Sequence, residues 1–157
     1  MKIALWGIGK TKAAHFIESE DMYAKRIKHY FPFQINYFKA PKNHNTLSSA
    51  KLKQAEGEIF LDALKPNDFL ILLDEGGKQM DSRTFANQIS QLANRSVSSI
   101  VFVIGGAFGF SDEIYAKANS KISLSKMTFS HQLVRTIFLE QLYRGCTIIR
   151  GESYHND

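Results

Sequence analysis

The chain has 157 residues, 44% of them hydrophobic and 22% charged, with a net charge of +5. That composition describes one soluble globular domain long enough to bury a real core. No apolar run approaches the roughly 20 residues that a membrane-spanning helix needs, and the single cysteine, Cys146, excludes an internal disulfide framework and fits a reducing cytoplasm.

Strand-like runs recur at 3–6, 33–38, 69–73, 99–104 and 122–124. The first follows Met1-Lys2 directly and reads as a strand rather than as a signal peptide. Helical spacing fills the gaps between strands. Tyr23, Ile27 and Tyr30 mark the first helix. Leu52, Ala55, Ile59 and Ala63 mark a second that begins near Thr46, and Phe85, Ile89 and Leu92 a third with Ser82 as its N-cap. Ser111 before Asp112 and Glu113 predicts a cap and an acidic first turn for a short helix reaching Ala118. A last helix spans about 131–145. Strands that are nearly continuous in apolar residues, alternating with helices, predict an α/β fold with a parallel sheet covered on both faces. The 41–46 region reads as a polar loop. The last helix carries Leu133, Val134, Ile137, Phe138, Leu139, Leu142 and Tyr143 on more than one stripe. A helix apolar on most sides is buried on most sides, so one face is expected on the sheet and another against a second copy of the chain.

Two phosphate-binding motifs are imitated and fail. Gly9-Lys10-Thr11 ends like a P-loop, but Ala4 stands where that motif needs its first glycine. Gly7-Ile8-Gly9 begins like a dinucleotide fingerprint, but its third glycine would fall on Lys12. Gly105-Gly106-Ala107-Phe108-Gly109 is better placed, directly after a buried strand. Ligands bind outside the carboxyl ends of strands in open parallel sheets. Three such ends stand out: Leu73 before Asp74-Glu75-Gly76-Gly77, Ile104 before Gly105, and Leu124 before Ser125. Backbone groups of three converging loops could recognise an adenine edge, with Leu73 and Met127 on its faces.

Charge points the same way. Lys117, Lys121, Lys126, Arg135, Arg144 and Arg150 face one acid, Glu140, within 117–150, while the rest of the chain is balanced. An anionic partner is therefore expected beside these loops, and the pI of about 9.3 suits nucleic acid. No histidine pair has metal-ligand spacing with a third ligand, so no metal is expected. His15, His29 and His44 read as surface residues and His131 as structural, while Cys146 reads as a small apolar core residue. The tail Gly151-Glu152-Ser153-Tyr154-His155 follows Arg150 with an aromatic ring and an imidazole, which marks it as a candidate functional segment.

The stretches LLDEGGKQMDS (72–82), FVIGGAFGFS (102–111) and SLSKMTFSHQLVRTIFLEQLYRGCTIIRGESYH (123–155) resemble the RlmH family of ribosomal RNA methyltransferases, members of the SPOUT class. The resemblance covers essentially the whole chain and implies a single SPOUT domain, with no appended RNA-binding module, whose C-terminal region forms a trefoil knot. It implies methyl transfer from S-adenosylmethionine to N3 of a pseudouridine in 23S rRNA, on the assembled ribosome, by a cytoplasmic homodimer with its site near the subunit interface. The cofactor positions it implies are Leu73, Gly105, Leu124, Ser125, Lys126, Met127, Thr128 and Phe129. The chain departs from the family pattern at Gly76, where an arginine is usual, at Phe108, where a tyrosine is common, and in the ending His155-Asn156-Asp157, where a second histidine is frequent.

Within that chemistry the proton on N3 must leave, and His155 is the expected acceptor. Tyr154 is expected to stack on the target base. Arg135, Arg144 and Arg150 are expected to meet phosphate or charge developing on the ring, Arg135 as part of the catalytic set and Arg144 and Arg150 as RNA contacts. Arg135 has an alternative, a pairing with Glu140 across a dimer interface. Two other functions remain open: a SPOUT methyltransferase acting on tRNA, and a non-catalytic nucleotide- or RNA-binding α/β module.

Overall fold

Residues 1–155 are described by a computed structural model. Five strands, β1 (Lys2–Ile8), β2 (Phe33–Phe38), β3 (Asp68–Gln79), β4 (Ser99–Ile104) and β5 (Ser120–Ser123), alternate with five helices, α1 (Ala14–Ile27), α2 (Ser49–Ala63), α3 (Ser82–Asn94), α4 (Asp112–Lys117) and α5 (His131–Arg150). The strands form one sheet in the order β2-β1-β4-β3-β5, and every pairing is parallel.

The period-two alternation of strand side chains divides the core between two faces. Ile3, Leu5, Ile100, Phe102 and Ile71 pack with Ile27 of α1, Phe85 and Ile89 of α3, and Phe138, Leu139 and Leu142 of α5. Ala4, Trp6, Leu70, Leu72, Val101 and Val103 pack on the opposite side with Phe60 of α2 and Ile114 of α4. The chain moves towards the β2 edge through α1 and α3, and towards the β5 edge through α2 and α4. Each change of direction comes with a change of face, as right-handed crossovers require.

Several boundaries differ from those that spacing predicts. Asp81, not Ser82, caps α3, its carboxylate accepting from Thr84 N at 2.7 Å. Ser48 caps α2, which starts three residues beyond Thr46. The 74–79 stretch, expected as a loop, continues β3. Its register against β5 shifts between Leu73 and Lys78. Gly77 allows this, because a Cβ there would lie 2.6 Å from the Ile122 backbone carbonyl carbon. Helix α5 runs five residues past the expected Gly145 to Arg150.

The over-apolar helix finds most of its cover within its own chain. It lies over the sheet between α1 and α3, with Phe138, Leu139, Leu142 and Cys146 fully buried, while Leu133 and Ile149 stay exposed. No helix among the described residues is long and apolar enough to cross a membrane.

Candidate cofactor cleft

The second half of β3 and the loops leaving β4 and β5 converge on a cleft of about 530 Å³. Its walls include Leu73 to Gly76 from β3, Ile104 to Phe110 after β4, and Leu124, Ser125, Met127, Thr128 and Phe129 after β5. Of the eight residues expected at a cofactor, only Lys126 is not on this lining. His131 and Val134, in the first turn of α5, close one side, and Tyr115 of α4 closes another.

Each wall is shaped by local contacts. On the β3 side, Tyr115 donates to Asp74 Oδ2 at 2.6 Å, and Gly76 N donates to Asp74 Oδ1 at 2.8 Å. Burial and that carboxylate push the Tyr115 phenol up to about 12. The β4 loop folds tightly, with Gly109 N donating to Gly106 O at 3.1 Å. A Cβ on Gly106 would collide with the Glu56 carboxyl group of α2, so glycine lets a buried carboxylate lie directly behind the loop. Burial holds the Glu56 pKa above its ordinary value, opposed by His44. In the β5 loop Ser123 donates to Ser125 O at 3.0 Å, and Ser125 Oγ accepts from Met127 N at 2.9 Å. That turn leaves Met127 76% exposed at the mouth, opposite Phe108 at 55%.

The fourth side is held by the start of α5. Gln132 Oε1 accepts from Lys12 N at 2.8 Å and Ala13 N at 2.9 Å, which fastens the loop after β1 to the helix. Arg135 is 2% exposed and turns away from the cleft. It donates to Ile8 O at 2.9 Å, Gly9 O at 2.8 Å and Thr11 Oγ1 at 2.8 Å, with its guanidinium 4.1 Å from the centre of the Tyr37 ring. Thr11 donates in turn to Glu20, and Tyr37 donates to the other oxygen of that carboxylate at 2.8 Å. Arg135, expected in the catalytic set, is instead buried in this network and does not line the cleft. A buried cation is costly unless bonded and balanced, and Thr11, Glu20, Tyr37 and two carbonyls supply that balance. Within the chain, Glu140 takes Arg144 at 2.5 Å.

The tail lies elsewhere. Tyr154 donates to Glu140 Oε1 at 3.2 Å and lies under the Arg144 guanidinium, 4.7 Å from its ring centre. His155 Nδ1 is 3.4 Å from Arg144 Nη1. Burial and bonding to Tyr23 push the Tyr154 phenol up to about 12. None of Arg144, Arg150, Tyr154 or His155 lines the cleft. At about 1.5 Å of rise per residue, Arg144 is about 15 Å along α5 from Val134. Asn156 and Asp157 lie outside the described residues.

Of the six cations expected beside the loops, Lys126 lies in the loop after β5 and Lys121 over the ring of the cleft residue Tyr115. Arg135 is buried, Arg144 is paired, and Arg150 ends the helix far from its cleft-facing turn. Conversely, His131 was expected to be structural and lines the cleft. Partial burial and then Arg135 hold its pKa below the ordinary histidine value. Its place just after the Ser130 cap was the signal available in the sequence.

A parallel open sheet with a cleft at three adjacent strands defines an α/β architecture in which small ligands bind at that edge. Solved structures share the fold: a methylase family protein from Haemophilus influenzae Rd KW20 superposes with a TM-score of 0.58 at 14% identity, over 99% of this chain and 70% of that one. The family described as "Predicted SPOUT methyltransferase" matches residues 1–155. The chain belongs to the SPOUT methyltransferases and is an enzyme of that class. Proteins named Ribosomal RNA large subunit methyltransferase H are similar along their full length. The one from Cytophaga hutchinsonii is 50% identical over 157 residues, covering 99% of this chain and 100% of the relative. The one from Parabacteroides distasonis is 47% identical over 157 residues, covering all of both chains.

Proposed function

We propose that the protein methylates N3 of a pseudouridine in 23S rRNA, using S-adenosylmethionine, as a cytoplasmic homodimer acting on the assembled ribosome. The observation that carries this reading is the cleft, together with full-length similarity to relatives named for large-subunit rRNA methylation. Seven residues expected at the cofactor (Leu73, Gly105, Leu124, Ser125, Met127, Thr128 and Phe129) line that one cleft from β3 and from the loops after β4 and β5. The C-terminal trefoil knot expected of the class is part of the same proposal.

The walls suit the cofactor. Leu73 and Met127 offer apolar surface for an adenine, and Gly105 and Gly106 keep side chains out of the path of the backbone. Asp74 and Glu75 place carboxylates beside a ligand that carries positive charge. Bound there, the cofactor would supply an electrophilic methyl group on a sulfonium.

The protein's own residues do the rest. The three loops orient the ligand, and Met127 and Phe108 at the mouth restrict water. Tyr154 and His155 lie far from the cleft of their own chain, so in this reading a second copy brings its tail to the cleft. There His155 accepts the N3 proton, Tyr154 packs on the base, and Arg144, with Arg150, meets phosphate. Arg135 is a positioning residue that holds the start of α5, and with it His131, at the cleft wall.

Isothermal titration with S-adenosylmethionine, with the particle mass measured in the same sample, tests the reading. Binding to a dimer, lost in Gly105→Val, is expected. No binding either alone or with assembled ribosomes present would overturn it.

A further inference from the structure

The loops after β1 and β2 lie side by side at the carboxyl edge of the sheet. Ile8 pairs with Phe38, and Gly9 N donates to Phe38 O at 2.8 Å. Both loops are basic and free of acids. Lys10 and Lys12 lie on the first, with the next acid at Glu18. Lys39 and Lys42 lie on the second, and Lys51 and Lys53 follow on the opening turns of α2, with the next acid at the buried Glu56. The four loop lysines and Lys51 are exposed, Lys53 is half-buried, and His15 and His44 add two exposed rings.

One hydrogen-bonded contact and one electrostatic proximity relate these loops to the cleft. Lys12 and Ala13 are bonded through their amides to Gln132, next to the cleft residue His131. His44 is within electrostatic reach of Glu56, whose carboxyl backs the cleft residue Gly106. The cleft itself bears carboxylates, Asp74 and Glu75, on its opposite side. The field therefore runs from acidic, where a cationic cofactor would lie, to basic along the β1 and β2 edge.

We propose that Lys10, Lys12, Lys39 and Lys42 form the surface that holds the phosphate backbone of the substrate RNA while its base enters the cleft. This inference rests on the functional reading above and moves the principal RNA contact from the α5 arginines to the two loops. Ammonium groups on exposed, flexible stems act as point charges towards phosphate, position the strand and carry no sequence information. That suits an enzyme with its docking surface next to the reacting base.

The test is the combined variant Lys10→Gln, Lys12→Gln, Lys39→Gln and Lys42→Gln, measured for affinity to assembled ribosomes that lack the methyl group across a salt series. The slope of log affinity against log salt should become shallower by about 0.7 to 0.9 for each lysine that meets a phosphate, about 3 for the four together. S-adenosylmethionine affinity, read by titration, should not change. A control pair on the far end of α1, Lys25→Gln with Lys28→Gln, should leave the slope as it is. A wild-type slope in the fourfold variant, or an equal loss in the control pair, overturns the proposal. Binding is read separately from methylation. A wild-type protein that docks through these lysines and transfers no methyl group would sink the functional reading and leave the surface standing.

Discussion

Arg135 donates to Thr11 Oγ1 at 2.8 Å across 124 residues of sequence, joining the last helix to the loop after the first strand. The same guanidinium holds the carbonyls of Ile8 and Gly9, and Thr11 passes the contact to Glu20. Removing one member leaves the opposite charge buried without its partner, which costs about 3–5 kcal/mol. Arg135→Ala should therefore lose stability on that scale in urea unfolding. A change of only about 0.5 kcal/mol, typical of a surface site, would show that the network does not hold the fold.

Gly106 and Glu56 form a second coupled pair. Gly106→Ala places a methyl group on the Glu56 carboxyl and should cost about 1–3 kcal/mol, as overpacking does. Glu56→Ala in the same chain should relieve much of that cost. Strict additivity of the two substitutions in a double-mutant cycle would refute the contact.

The same carboxylate sets a pH dependence. Its folded pKa lies above the ordinary carboxylate value because burial disfavours the charge. Its contribution is thus fully present below the ordinary carboxylate range and is lost as pH rises through the raised folded value. Compared with Glu56→Gln, the wild type should lose stability across that window. Parallel curves of unfolding free energy against pH would contradict the assignment.

Cys146 is fully buried, and burial pushes its thiol up to about 12. Thiolate is the reactive form. The native protein should resist alkylation at neutral pH and label readily once unfolded in denaturant. Rapid labelling under native conditions would place the thiol at an opening surface.

The separation of the tail from the cleft predicts complementation between subunits. His155→Ala should lower turnover and leave S-adenosylmethionine binding intact, while Gly105→Val should abolish binding. Mixed dimers of the two should regain activity, because one cleft and one tail remain whole in opposite chains. If mixing restores nothing and His131→Ala alone abolishes turnover, the proton acceptor is the histidine already at the cleft.

Much of the architecture was legible as pattern. The runs at 33–38 and 99–104 coincide with β2 and β4: β4 is apolar and buried from Ile100 to Ile104, while β2, at the sheet edge, interleaves Gln34 and Asn36 with apolar residues. Local spacing failed where a distant partner decides. Gly76 and Gly77 read as a turn, yet β5 pairs with Lys78 and Gln79 and extends the strand. Arg135 read as a cation meeting phosphate or the target ring because its partners, Thr11 and Glu20, lie in the first part of the chain. The cleft loops were legible because three glycine- or serine-bearing strand ends follow apolar runs. The tail's distance from them was not, because it depends on the helix continuing to Arg150 before the chain turns.

The central claim is tested most directly by incubating the protein and methyl-labelled S-adenosylmethionine with assembled ribosomes that lack the modification, then mapping the label in the RNA. The account predicts one labelled nucleotide, a pseudouridine of 23S rRNA carrying the methyl group on N3. Label on tRNA instead, or no transfer by a protein that binds both partners, would contradict it.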